Sequence, residues 1–286
     1  MSDWYQELDA PHFDYRVEAV DGIAEHRFRG PIPDLSRPYF ACIGGAQTFG
    51  RFVADPYPQQ LARSLGLPCL NLGLGGAGPR FARHPSVLRH LQQARFVVVQ
   101  MFSGRSASNS RFDNTGDGRN FGRTIGSNRE QRFEDFLRDM IELGDRALLE
   151  RTVREQRDDY VGHSVAVGRA LQPPTVLLWL SRRRPEYTID WTTPFGVCSH
   201  YPQLVDRETV DRIRPAFTRY VECADAAGLP QRLWPAAEVV AGTRLADDGT
   251  LENVYYPSPE MHDRAAAELL PVCAELARPG GADQGR

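Results

Sequence analysis

Short apolar runs recur along the chain, each stopped by glycine or by a polar turn. Tyr39-Phe40-Ala41-Cys42-Ile43 ends at Gly44-Gly45, Cys69-Leu70-Asn71-Leu72 ends at Gly73, and residues 96–102 and 175–180 are apolar at nearly every position. Runs that are short and apolar throughout predict strands covered on both faces. A fifth strand is predicted at Arg232-Leu233-Trp234. Between the runs, apolar residues fall at helical spacing over 50–65, 86–94, 133–171, 206–227 and 261–276, the third preceded by Ser127-Asn128-Arg129-Glu130 at capping-box spacing. Strands alternating with helices predict an α/β fold, a three-layer α/β/α sandwich around a mainly parallel sheet of about five strands, flavodoxin-like in plan.

At 286 residues the chain is long enough to bury one full core. The pattern divides it into an N-terminal arm at 1–37, a single domain at 38–278, and a polar, Gly-rich tail at 279–286 that is expected to be disordered. Residues 103–131 are rich in Gly, Ser, Asn and Arg, which predicts a long lid or binding loop. The first residues lack a leader pattern and no apolar run is long enough to span a bilayer, so a cytoplasmic protein without a membrane span is expected.

Composition narrows the chemistry. All 34 basic residues are arginine, so a P-loop lysine, a pyridoxal aldimine and a Schiff-base aldolase are excluded. Five cysteines (Cys42, Cys69, Cys198, Cys223, Cys273) stand singly, with neither disulfide nor zinc spacing, and no two histidines have ligand spacing. No metal and no cofactor is expected. From 56 to 112 there are seven arginines (63, 80, 83, 89, 95, 105, 111) and no acid, inside a chain of net charge −3. Such a block either holds an anion in a local positive field or pairs with acids from other segments. An acidic remainder and a pI of about 6.2 argue against nucleic acid as a partner.

In a parallel sheet, ligands sit beyond the carboxyl ends of the strands, which selects the loops 44–51, 73–80, 103–112, 182–203 and 254–262. Gly73-Leu74-Gly75-Gly76-Ala77-Gly78 has the spacing of a dinucleotide fingerprint, but no acid follows for a ribose, and Pro79 and Pro85 interrupt the helix. Three other blocks fit together. Gly44-Gly45-Ala46-Gln47-Thr48-Phe49-Gly50 follows the first strand, Asn71-Leu72-Gly73-Leu74-Gly75-Gly76 ends the second, and His262 precedes the small residues Ala265-Ala266-Ala267 of the last helix. In these blocks the chain resembles the SGNH, or GDSL-type, hydrolase superfamily, whose first block reads Gly-Asp-Ser-x-Thr-x-Gly. The resemblance implies an SGNH-like fold, a base at His262 and an oxyanion-hole N–H at Gly76. Two departures accompany it: Ala46 stands where the family has its serine nucleophile, and Pro259 where it has the aspartate that orients the histidine. A triad of the usual kind cannot form. The third-block asparagine is displaced as well, with Asn109 nearest. The turn Gly44-Gly45-Ala46-Gln47 is also similar to that of capsular-polysaccharide acyltransferase-like proteins, which end it in glutamine.

Several groups are candidates for the vacated roles. Thr48 is either a displaced nucleophile or a helix-start hydroxyl satisfying backbone, and Glu260 either orients His262 or is a solvated first-turn acid. Gly45, Ala46 and Gln47 offer donors at a helix start. Arg51, Arg105 and Arg182 to Arg184 lie at strand ends suited to an anion, with one of the last three, Arg182, expected to point inward. Ser103 and Asn109 complete the predicted binding set, and Tyr187, Trp191 and Phe195 either stack on a ligand or cap the core. Three functions follow. The first is an SGNH-like transferase or hydrolase acting on an anionic metabolite or glycan without an enzyme serine, as in polysaccharide or glycolipid biosynthesis. The second is a non-catalytic module binding an anionic ligand. The third is an esterase whose nucleophile comes from 103–110. The oligomeric state is left open.

Overall fold

A computed structural model describes residues 4–114 and 121–278. The predicted tail at 279–286 lies outside them. Its centre is a five-stranded parallel sheet: β1 (Phe40–Gly44), β2 (Cys69–Gly73), β3 (Val97–Gln100), β4 (Thr175–Ser181) and β5 (Arg219–Ala224), in the spatial order β5-β4-β3-β1-β2. Every residue of β1, β3 and β4 is buried. Successive side chains enter opposite layers. Ala41, Ile43, Val99 and Leu177 face the helices Pro85–Gln93 and Arg146–Ala170, and Phe40, Cys42, Val98 and Leu178 face the helices Tyr57–Leu65 and Pro259–Ala277. This is the predicted three-layer α/β/α arrangement. Connections leave β1 and β3 toward opposite edges of the sheet, so their carboxyl ends form the crevice where a ligand is expected.

Three predicted elements differ. The segment at 206–227 is a helix only over Arg207–Ile213; its second half is β5, paired in parallel with β4 through Arg219 and Val176 up to Ala224 and Ser181. The predicted strand at Arg232-Leu233-Trp234 belongs instead to an antiparallel three-stranded sheet, Gln231–Pro235, Thr250–Asn253 and Thr243–Leu245. The helix predicted over 50–65 is broken. A short turn, Ala46–Phe49, ends at Gly50 in the left-handed region (φ 81°), and the helix resumes at Tyr57 behind Pro56.

The long loop is partly ordered as well. A single 3₁₀ turn at Gly104–Ser106 is followed by the strands Phe112–Asp113, Phe121–Thr124 and Glu130–Arg132, a small antiparallel sheet. The first forty residues add a hairpin, Val17–Val20 with Ile23–Arg29, that delivers Val20, Ile23 and Phe28 to the core. Among the described residues no helix is long and apolar enough to cross a membrane, and no group of three or more His, Cys, Asp or Glu could hold a metal ion.

Candidate functional site

The turn after β1 is wired into β3. The N–H of Gly45 donates to Gln100 Oε1 at 3.0 Å, and Thr48 Oγ1 donates to the same oxygen at 3.2 Å while lying 3.0 Å from the Tyr57 hydroxyl. The Gln100 amide donates to Met101 O (3.0 Å) and to the Tyr201 hydroxyl (2.9 Å), and Tyr201 gives its proton to Met101 O (2.8 Å). From β2, Asn71 Nδ2 donates to Thr48 O and Asn71 Oδ1 accepts from Gly73 N–H. Gly73 is required here because a Cβ would stand 2.1 Å from Phe49 N. These bonds fix the turn and engage the Gly45 N–H, the Thr48 hydroxyl and the Thr48 carbonyl. Thr48, fully buried, is therefore a structural hydroxyl and not a nucleophile, and the Gly45 N–H is not free for a ligand.

His262 sits in the first turn of the last helix, fully buried. Its Nδ1 accepts the Tyr57 N–H at 3.1 Å and its ring stacks on Tyr57 at 5.8 Å. Burial, with the charge of Arg29 second, holds its pKa at about 3. An acceptor Nδ1 places the proton of the neutral ring on Nε2, and that atom is buried without a partner. Glu260 does not orient it. Its side chain is exposed and its carboxylate lies over Gly228, where a Cβ would meet it at 1.9 Å.

The predicted arginines disperse. Arg51 is 1% exposed and clamps Asp9 with Nε and Nη2 (2.7 and 3.2 Å), while Nη1 donates to Ala241 O and to the Tyr256 hydroxyl. It fastens the N-terminal segment over the turn and is not a ligand contact. Arg105 pairs with Glu134 and donates from Nε to Ser103 Oγ, which also accepts the Arg105 N–H. Arg63 pairs with Asp55, Arg80 with Asp159 and Arg89 with Asp21, so acids outside the acid-free block neutralise much of the predicted field. Asn109 closes its own loop: Oδ1 accepts from Arg111 and Phe112 N–H, and Nδ2 donates to Gln156. Gly76 is exposed on a left-handed bend and does not line the pocket described below.

Of the three arginines after β4, Arg183 is the inward one. Its guanidinium donates to the carbonyls of Arg184, Pro185, His200, Pro202 and Val205 and lies between the rings of Trp179 (5.0 Å) and Tyr187 (4.6 Å). Burial lowers its pKa to about 10. Arg182 is exposed at the rim, with Nη1 on Val254 O at 3.0 Å. Tyr187 is a support for Arg157 and Arg183, Trp191 lies under Arg146, and Phe195 is exposed, with its edge on His200 at 5.0 Å.

What the structure does bring together is a pocket of about 240 Å³, counted out to solvent, between the ends of β1 and β4. Gln47, Ser181, Arg182 and His200 form its polar side, Tyr201 and Tyr255 its walls, and Leu180, Pro257 and Met261 its apolar part. His262 lies outside this lining, next in sequence to Met261. Ala46, 7% exposed, packs with Tyr15 and Phe49. Gln47 and Arg182 were predicted. Gln100, Tyr201, Gln203 and Tyr255 were not; a glutamine closing an otherwise apolar strand run was a readable signal for the first alone.

The three blocks through which the chain resembles the SGNH superfamily thus lie at the ends of β1 and β2 and in the first turn of the last helix. Residues 5–117 match a family model described as a domain of unknown function, DUF6473. No curated protein matches the chain. Among solved structures it is similar to phospholipase A1 from Streptomyces albidoflavus NA297, at 12% identity over 82% of this chain and 98% of that one (TM-score 0.44). It is similar also to an extracellular lipase from Streptomyces rimosus, at 11% identity over 83% and 98% (TM-score 0.40). A carbohydrate esterase family 2 enzyme with a carbohydrate-binding domain, from Corynascus thermopiles, matches at 14% identity over 88% and 69% (TM-score 0.39). In the structure Ala46 opens the short turn after β1, and Pro259 opens the last helix.

Proposed function

We propose that the chain binds a small oxyanion, the carboxylate, sulfate or phosphate group of a metabolite or glycan, in the pocket between Gln47 and Arg182, without a covalent serine step. One observation carries this reading: three of the polar lining residues, Gln47, Arg182 and His200, keep hydrogen-bonding groups unused, whereas Ser181 and Tyr201 have committed their protons to Tyr201 O and Met101 O. The Gln47 amide makes no hydrogen bond among the described residues, Arg182 uses one N–H on Val254 O, and the His200 ring has no hydrogen-bond partner there. None of the nine lining residues is acidic. Donors without acceptors favour a ligand rich in acceptors, and a guanidinium beside a neutral amide suits an oxyanion. Burial, then Arg182 and Arg183, lower the pKa of His200, so the ring is neutral while the pocket is empty and gains its proton more readily when an anion enters.

A second reading, group transfer by an SGNH-like enzyme, is favoured by the buried Nε2–H of His262, which lacks an acceptor. In that reading a hydroxyl of the bound metabolite or glycan attacks the carbonyl carbon of an acyl donor, the bond to the donor's leaving group breaks, the hydroxyl proton passes to solvent, and the Nε2–H of His262, once Met261 has moved aside, donates to the carbonyl oxygen as it gains charge. Thermal shifts at constant ionic strength in sodium acetate, sulfate and phosphate, against sodium chloride, test the first reading. Stabilisation by one of the oxyanions that is lost in R182Q and in Q47L supports binding, and equal melting in all four salts contradicts it. Turnover of an acyl donor that requires His262 would favour the second.

A further inference from the structure

Two glutamine–tyrosine pairs flank the pocket, and they differ in where the phenolic proton goes. In the first, Gln100 Nε2 donates to the Tyr201 hydroxyl at 2.9 Å and Tyr201 passes its own proton to Met101 O at 2.8 Å. In the second, Gln203 Nε2 donates to the Tyr255 hydroxyl at 2.7 Å, and the Tyr255 proton has no acceptor among the described residues. Gln203 is 4% exposed, and its Oε1 is buried without a partner. That orphan acceptor is costly. Turning the amide over would give Oε1 the Tyr255 proton and commit that proton to Gln203.

We infer that Tyr255 is a ligand-binding donor of this pocket and that Gln203 is its positioning residue, a proposal that rests on the oxyanion reading above. By donating to the phenolic oxygen, Gln203 occupies one lone pair and leaves the O–H free to rotate toward a bound oxygen. The segment carrying Gln203 is held in place by its own backbone: Gly104 N–H donates to Gln203 O at 2.9 Å, and Arg183 grips the neighbouring carbonyls of His200, Pro202 and Val205. Burial raises the pKa of Tyr255, keeping the phenol protonated. A neutral donor on the same pocket as Arg182 would let it hold both oxygens of an anion without adding a second full charge.

Tyr201 supplies the control, since it is the same residue type on the same pocket with its proton already committed. Titration calorimetry with sodium sulfate, acetate and phosphate on the wild type, Y255F and Y201F separates the two. The affinity of Y255F for the anion that binds is expected to fall by about tenfold or more, the loss of one hydrogen bond to a charged group. Y201F is expected to keep its affinity and lose thermal stability. The tyrosine ultraviolet difference spectrum on anion binding should vanish in Y255F and persist in Y201F. In Q203M, which keeps the phenol and loses its positioning bond, affinity should drop several-fold, about 3 to 10 times, and this variant decides the matter if Y255F does not fold. Wild-type affinity in Y255F, or in Q203M, overturns the inference alone. Failure of the wild type to bind any of the three anions overturns the oxyanion reading and the inference with it.

Discussion

The amide N–H of Tyr57 points at Nδ1 of His262 across 3.1 Å, the side of the ring where a catalytic triad carries its carboxylate. One bond thus settles the tautomer, and it does so with a neutral peptide group. A carboxylate there would stabilise an imidazolium as it forms; a backbone N–H opposes it, because protonating Nδ1 breaks the bond.

It follows that His262 is not set to activate Ser103, Ser106 or Ser108. In the 103–110 loop, Ser103 Oγ accepts from Arg105, Ser106 Oγ donates to Ser103 O, and Ser108 Oγ accepts the Asn114 N–H. None of them is hydrogen-bonded to His262. Intact-mass spectrometry after incubation with a fluorophosphonate should show no adduct, and a stoichiometric adduct on Ser103, Ser106 or Ser108 would restore the esterase reading.

Acid should weaken the fold through His262. Its folded pKa of about 3 lies below the unfolded value of about 6.5, so the unfolded chain binds the proton first as pH falls. The stabilisation is complete above the unfolded pKa and is lost on descending from it toward the folded one, at about 1.4 kcal/mol per pH unit. Urea denaturation of the wild type and H262Q between neutral pH and pH ~5, above most carboxylate titrations, should show a steeper decline in the wild type. Parallel curves would contradict the buried neutral ring.

The buried Arg51–Asp9 pair predicts a large cost for breaking one side of it. Both side chains are at most 1% exposed, so D9N or R51M leaves a buried polar group uncompensated and should destabilise by about 3–5 kcal/mol, measured by chemical denaturation. A loss below about 1 kcal/mol would mean that the N-terminal segment is not clamped as described.

Much of the fold was legible because β1, β3 and β4 are buried along their whole length and read as nearly continuous apolar runs. β5 is an edge strand with only Val221 and Cys223 buried along its length, and in a segment that starts helical its alternation was hidden. The site was less legible for a different reason. Sequence position located Thr48, Arg51, Arg105 and Asn109 near strand ends, but the direction of each side chain depends on partners distant in sequence: Gln100 for Thr48, Asp9 for Arg51, Glu134 for Arg105, Gln156 for Asn109. Tyr201, Gln203 and Tyr255 belong to no motif and are assembled by the loop that Arg183 holds.

That loop yields a fourth expectation. An ammonium has three donors and cannot replace a planar fork shared among five carbonyls, so R183K should destabilise by about 2–4 kcal/mol and also weaken anion binding, because His200, Tyr201 and Gln203 lose their common anchor. Denaturation and calorimetry on the same sample check both halves; unchanged affinity in R183K would separate the loop from the pocket.

The oxyanion pocket itself is tested most directly by the side-chain N–H signals of Gln47 and Arg182 in ¹H–¹⁵N spectra during titration with sodium sulfate, acetate and phosphate at constant ionic strength. The Gln47 amide and the Arg182 Nε–H should shift together along one saturable curve for at least one of these anions. Absence of a saturable shift for all three, or equal weak shifts spread over the exposed arginines, would contradict the account.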